Sequence, residues 1–551
     1  MKNIHCIFVI CFFALICIGQ GIITRNKTEP YKKENSKKET SNKGSSKKDN
    51  TEKLTKEPKI PPIKEVSIDG LTFRVSNWNK REVSVIKSDD DTEIATIPPS
   101  IQIEGNYYVV KSIGESAFEG NNNLTDFTIP TTITSIGDRA FGKCYSLSSI
   151  NIPQSVVSIG EGAFSDCDSL KMVEIENIES WCKIKFSTYD SNPLAYSHSI
   201  FLKGEEITEL NIPSSVKSIG DHTFSGWNKL KSITIPSSVT TIGDEAFCNC
   251  GGLSSITIPK SVTSLGNGAF RNCSGLISID LPNSINAIGD HVFEGCYKLY
   301  SIILPNSVNS IGISAFQDCH GLTSIIIPNT VVHIKHDAFR DCNVLSSISI
   351  PKSVISIGYE AFAYCNNLKK VEIEDLEAWC NIKFADYSAN PLVYAKSLFL
   401  NNEELTDLVI PSSVSSIGSF AFHGYNNLRS VKIPKFLKSV GKEAFAYCDN
   451  LKKVEIEDLE AWCNIKFADY SANPLLYAKS LFLNNVELTD LVIPSSVKSI
   501  EKYAFYGCEG LTSVSIPNSV ISIGDAAFKK CTKLRTIDIP TQFNDKKDNI
   551  F

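Results

Sequence analysis

A phrase that returns every 23 residues constrains this chain more than anything else in it. Residues 256–273 read ITIPKSVTSLGNGAFRNC, residues 279–296 read IDLPNSINAIGDHVFEGC, and residues 348–365 read ISIPKSVISIGYEAFAYC. The prolines of the phrase fall at 130, 153, 213, 236, 259, 282, 305, 328, 351, 411, 434, 494, 517 and 540. Ten of the thirteen intervals are 23 residues, and the other three are 60, which is 23 plus 37. A fixed period of this size predicts a solenoid, in which each unit stacks on the one before it. At 551 residues the chain is also longer than a single hydrophobic core normally supports.

The unit is L-x-x-I-x-I-P-x-S-V-x-S-I-G-x-x-A-F-x-x-C. Its first part alternates apolar and polar residues with the period of a half-buried strand. In LSSITIP the inward residues are Leu253, Ile256 and Ile258, and Pro259 ends the strand because it has no N–H to give a ladder. A second extended piece, SVTSLG, turns Val262 and Leu265 inward. Gly266 is expected to turn the chain by adopting positive φ. The segment NGAFRNC then makes a tight turn or one helical turn that buries Ala269, Phe270 and Cys273. One such coil leaves both its faces uncovered until a neighbour lies against them. Phe recurs at 118, 141, 164, 224, 247, 270, 293, 316, 339, 362, 422, 445, 505 and 528, which predicts a spine of rings through the stack. Each buried Phe contributes about 1.5–3 kcal/mol.

The expected fold is a right-handed stack of 23-residue β-rich coils with three expanded coils of 37 residues. The long coils begin at Leu170, Leu368 and Leu451, and the last two are near-copies 83 residues apart. In them Glu replaces the turn Pro, and WCxIKF stands where IGxxAF is usual. Their SLFLNN and ELTDLVIP pieces read as a hairpin turning at Asn-Asn. Each brings one Trp (Trp181, Trp379, Trp462) and an acidic lip such as Glu372, Glu374, Asp375 and Glu377. These are read as an aromatic platform for sugar or protein, or a calcium site, or else as Trp replacing the Phe spine locally with solvated acids. A calcium loop gathers its oxygens in one tight turn, and alternation along a strand would split these acids between faces.

The ends differ in composition. Residues 1–21, MKNIHCIFVICFFALICIGQG, have the charge, apolar run and small-residue exit of a secretory signal peptide. Left uncleaved, that segment is the one membrane contact expected. Residues 22–61 form a Lys- and Ser-rich stretch with almost nothing apolar, expected to be a disordered tether. Within it, residues 24–60 carry twelve Lys or Arg and six Asp or Glu; removing that +6 and Lys2 from the total of −6 leaves the folded part near −13. So acidic a body is a poor nucleic-acid binder. Short strands at 62–110 are expected to cap the solenoid of 111–540, and 541–551 reads as a polar tail. Sequons stand at Asn26, Asn123 and Asn272 and matter only where a host glycosylates.

The chemistry-bearing residues are spread in rows. Eleven cysteines occupy one column of the repeat, from Cys144 to Cys531, so no pairing is specified and none sits in a CxxC zinc spacing. They read as small buried hydrophobes. His333 and His336 are close in sequence but lack a Cys or carboxylate at metal spacing. No GxSxG, P-loop or HExxH is present. A repeat offers like groups in rows, whereas catalysis needs unlike groups in one place. No enzyme activity, cofactor or metal is expected.

The exposed side of the first strand is more telling. Its outward positions are mostly Ser and Thr, including Ser301 and Ser324. In mid-chain the residue between the paired Ile positions becomes Ile303 and then Ile326. Two apolar side chains facing out on adjacent strands, flanked by hydroxyls, are a candidate ligand site.

The repeat resembles that of BspA-like leucine-rich-repeat proteins, LxxIxIPxSVxxIGxxAFxxC, over about residues 110–540. Departures are local: Lys335 and Glu501 replace the Gly, and Asn121, Trp227 and Tyr425 replace the Cys. The resemblance implies a secreted or cell-surface protein that binds host extracellular-matrix proteins of the fibronectin or fibrinogen type, or cells. The other expectation kept open is a structural or carbohydrate-binding component of the cell envelope.

Overall fold

The structure, a computed structural model, describes residues 64–89 and 96–551. The segments read as a signal peptide and a tether both lie outside the described residues. From about residue 111 onward the chain winds as stacked coils with three walls.

The broad wall is made by the alternating segment of the repeat. Ser255–Thr257 and Ser278–Asp280 pair in parallel with Ile256 opposite Ile279, and Ser324–Ile326, Ser347–Ile350 and Lys370–Ile373 continue the same register. The narrow wall is made by two-residue strands such as Ser218–Ile219, Thr241–Ile242 and Ser264–Leu265, again parallel and in register. Leu253, Ile256, Ile258, Val262, Leu265, Ala269, Phe270 and Cys273 are all buried, as the pattern requires.

The third wall, formed by the Ala-Phe segment, is a turn and not a helix, yet it carries a ladder of its own. Phe118 N–H donates to the Ala140 carbonyl, Phe141 N–H to Ala163, and Phe247 N–H to Ala269, at 2.8–2.9 Å. Residues two before and two after each Phe adopt left-handed backbone, for example Arg139 (φ 51°) and Lys143 (φ 58°) around Phe141. This costs about 1–2 kcal/mol for each non-glycine residue, offset by one inter-coil hydrogen bond per alternate residue. The rings stack as expected: Phe247 on Phe270 at 5.4 Å and 0°, Phe316 on Phe339 at 5.4 Å and 2°.

The repeat glycine does something other than expected. Gly266 is absent from the positive-φ residues. A Cβ built on it would lie 2.3 Å from the Gly243 carbonyl carbon and from the Asp244 nitrogen. At Gly266, as at Gly137, Gly243 and Gly312, adjacent coils touch backbone to backbone at that corner, whereas a Cβ on Gly220 or Gly289 would meet no neighbouring backbone atom within 3.4 Å. Where Lys335 and Glu501 stand in it, the corner hydrogen bonds persist, from Lys335 N–H to Ile311 and from Glu501 N–H to Cys463.

Two polar columns also tie coil to coil. The Ser of the S-V pair donates back to the preceding coil, as in Ser261 Oγ to the Val239 carbonyl at 2.6 Å and Ser353 Oγ to Val331 at 2.7 Å. The acid or amide after the glycine accepts forward: Asp221 Oδ1 from Asp244 N–H, Asp244 Oδ1 from Asn267 N–H, Asn267 Oδ1 from Asp290 N–H. Repetition therefore serves the polar groups as well as the apolar ones.

At one end, strands Glu65–Ile68, Leu71–Asn77 and Glu82–Ser88 form an antiparallel meander. The last of these pairs in parallel with Asn106–Ile113, which pairs with Ser135–Ile136 and so runs into the narrow wall. At the other end the segment read as a polar tail packs against the last coil. Phe543 and Ile550 are buried, Phe528 N–H donates to Ile550 at 2.9 Å, and Phe551 stacks on Phe528 at 5.3 Å. Its apolar residues are too sparse to stand out in sequence, but they land where the column needs a next ring.

Candidate binding surfaces

The long coils depart most from the repeat, so their side chains come first. Lys383–Phe384 pairs with Ser356–Ile357, which puts the IKF piece in the narrow wall and not in place of the Ala-Phe turn. That turn is supplied by the later residues Ser388 and Ala389: Phe362 N–H donates to Ser388 just as Phe339 N–H donates to Ala361. Ala389 thus holds the Phe position and the ring column is interrupted there.

The tryptophans do not present a platform. Trp181, Trp379 and Trp462 are each 1% exposed. Trp379 packs on Phe384 at 5.3 Å, and its Nε1 donates to the Ala421 carbonyl of the next coil at 2.9 Å. Trp181 and Trp462 do the same to Thr223 and Ala504. A ring with both faces in the core cannot stack on a ligand, so these three residues belong to the core. Sequence reading missed their partner, Asn390, whose Nδ2 donates to the Phe420 and Ala421 carbonyls at 2.7 and 3.1 Å. Asn192 and Asn473 repeat this in the other long coils. The signal was there as an Asn-Pro-Leu triplet present in all three.

The acidic lip is dispersed among separate tasks. Glu372 pairs with Lys370 at 2.7 Å and accepts from Asn402 N–H. Asp375 caps the helix Leu376–Cys380 by accepting from Ala378 N–H, and Glu377 accepts from Ser413 Oγ. Hairpins turn at Asn401-Asn402 and Asn484-Asn485, all four with positive φ, as the sequence indicated. Among the described residues no group of three or more His, Cys, Asp or Glu is placed to hold a metal. His333 Nδ1 meets Ser356 Oγ at 2.7 Å, while His336 stacks on Tyr359 and accepts from its N–H.

The cysteine column is buried and free. Cys273 Sγ donates to the Phe247 carbonyl at 3.1 Å and Cys365 Sγ to Phe339 at 3.2 Å, each reaching one coil back. Burial pushes the Cys365 thiol up to about 12, far from the thiolate that reactivity needs.

Ile303 and Ile326 do face outward. They are 86% and 77% exposed and form a parallel bridge pair on the broad wall. Ser301 and Ser324 beside them are exposed. The sequence reading missed two members of the same patch. Ile277 and Tyr300 are 52% and 60% exposed, and Tyr300 N–H donates to the Ile277 carbonyl at 3.1 Å. Their column otherwise holds polar residues, Ser254, Thr323 and Ser346 nearby and Lys231 or Lys369 further along, so the departure was visible. Four large apolar side chains in three consecutive coils stand clear of a wall whose other outward positions are mostly small or polar.

A model of the BspA type leucine rich repeat region matches residues 99–195, 195–323, 309–389, 394–472 and 477–551. The chain belongs to the BspA-type leucine-rich-repeat family. Among solved structures, the BspA-type chain is similar to a leucine-rich repeat protein from Bacteroides ovatus at 25% identity, covering 87% of this chain and 96% of that one with a TM-score of 0.41. A leucine rich cell surface protein from Faecalibacterium prausnitzii matches at 24% identity over 73% of this chain and 97% of that one, TM-score 0.41. The pneumococcal vaccine antigen PcpA matches at 17% identity over 87% and 99%, TM-score 0.36. No curated protein matches the BspA-type chain. Among the described residues no helix is long and apolar enough to cross a membrane.

Proposed function

We propose that this BspA-type protein is an exported, non-enzymatic surface protein that adheres to host extracellular proteins of the fibronectin or fibrinogen type, or to cells. The single observation that supports an adhesive role is the patch of Ile277, Tyr300, Ile303 and Ile326. Isolated exposed apolar residues are ordinary, but a contiguous group on an otherwise hydroxyl-rich wall is what a protein-binding surface needs. The patch is pre-formed, because each of its three coils is anchored by a buried Ile (Ile279, Ile302 and Ile325), so little ordering entropy opposes binding.

Solid-phase binding of the full chain to immobilised fibronectin and fibrinogen tests this reading. Ile303→Asp with Ile326→Asp puts two charges into the patch without touching the core, and a loss of at least about tenfold in affinity is expected. Undiminished binding by a folded double variant removes the patch from the account.

A further inference from the structure

Just after the second long coil, where the turn wall meets the broad wall, Glu404, Thr406, Asn426, Asn427, Arg429, Asn450 and Lys452 line a polar cleft of about 390 Å³ that opens to solvent. It lies outside the apolar patch and has a different chemistry.

Three observations converge on it. First, Arg429 and Lys452 occupy the same column of successive coils, since Lys452 N–H donates to the Arg429 carbonyl at 2.9 Å. Both are exposed, and among the described residues neither joins an ion pair. Like charges in register across a ladder oppose each other. Other cations of this column have a hydroxyl residue on an adjacent coil: Lys231 neighbours Ser254, Lys369 neighbours Ser346, and Arg535 neighbours Thr512. Second, Asn426 Oδ1 is buried with no hydrogen-bond partner, a state that costs free energy until a donor arrives. Its own backbone carbonyl is already satisfied by Asn450 Nδ2 at 2.9 Å. Third, Glu404 is fixed in the pocket by Asn427 Nδ2 at 2.7 Å.

The two adjacent cations favour an anion. The orphan amide oxygen and the fixed carboxylate require hydroxyl donors and would repel a bare anion. The absence of any apolar side chain from the lining disfavours a peptide. We propose that this pocket binds one acidic saccharide unit. Arg429 and Lys452 take its carboxylate, Asn426 Oδ1 and Glu404 accept from its hydroxyls, and Asn450 marks the far edge.

Isothermal titration of the full chain tests this with two acidic sugars, a hyaluronate tetrasaccharide and sialyllactose. Controls are the carboxyl-reduced tetrasaccharide, inorganic phosphate and hexaglutamate. The variant is Arg429→Ser with Lys452→Ser, which installs the residue that already stands at 254 and 346 and so should leave the fold intact. At least one acidic sugar is expected to bind, and the double variant to weaken it by at least about tenfold with an unchanged melting curve. The proposal fails if neither acidic sugar binds at millimolar concentration, or if the folded double variant binds as well as the parent. It also fails if the carboxyl-reduced sugar binds equally, or if phosphate or hexaglutamate binds more tightly than the sugars.

Discussion

Trp379 Nε1 donates to the Ala421 carbonyl, forty-two residues ahead, at 2.9 Å. In a regular coil that carbonyl accepts from the Phe N–H of the coil before. The long coil has no such N–H to offer, because Ala389 N–H is taken by Asp386 at 2.7 Å. The indole and the Asn390 amide supply the missing donors from side chains. Trp379→Phe removes the donor and leaves a cavity where the indole's second ring packed, so a loss of about 2–4 kcal/mol is expected. Urea denaturation gives the size, and hydrogen exchange should place the loosening at residues 376–425.

The glycine column separates two reasons for having glycine. Gly266 is constrained by contact with Gly243, whereas Gly268 has φ +60° and its nearest neighbour would be the flexible Glu245 side chain at 3.1 Å. Gly268→Ala should cost about 1 kcal/mol, the penalty for left-handed backbone. Gly266→Ala should cost about 3 kcal/mol, because backbone must move. Equal losses in urea denaturation would contradict the contact argument.

Most of the stack was legible because one period sets every apolar position. Ile256 and Ile258 could be assigned inward and Ile303 and Ile326 outward from alternation, while Leu253, Val262, Phe270 and Cys273 were assigned inward from their fixed places in the repeat. Three things were not. The contact behind Gly266 depends on how close two coils lie, which no local pattern encodes. Trp379 was ambiguous between platform and core, since an indole suits either until its neighbours are known. The pocket at Arg429 and Lys452 joins residues from three coils; the period already sets those two cations side by side, but the approach of Glu404 from the long coil and the burial of Asn426 Oδ1 do not follow from it.

Burial of the cysteine column has a chemical consequence. With the Cys144 and Cys365 thiols pushed up to about 12 by burial, the folded protein should react with thiol reagents at pH 8 no faster than it unfolds. A chromogenic disulfide reagent read with and without denaturant measures this. A fast-reacting fraction in the native protein would place a thiolate where the structure has a buried thiol.

His423 is packed among Tyr387, Phe420 and Tyr447. Burial holds its imidazole below the ordinary value, only partly opposed by Glu443. The unfolded chain therefore binds a proton at a pH where the folded chain does not. Stability should fall as pH drops through the ordinary histidine value of about 6.5 and level off below the depressed folded value. His423→Ser, the residue that stands at the matching position 225, should flatten that part of the stability–pH curve measured by thermal melting. The other seven histidines serve as the internal background.

The central claim is that cohesion passes only between neighbouring coils, and Phe270→Ala tests it most directly. The substitution removes one ring from the middle of the column and should cost about 3–5 kcal/mol locally. Hydrogen exchange, resolved by segment, should lose protection in the coils around Phe247, Phe270 and Phe293 and keep it near Phe445 and Phe505. A uniform loss across residues 64–551 would mean a single cooperative core, and the stacked-coil account would be wrong.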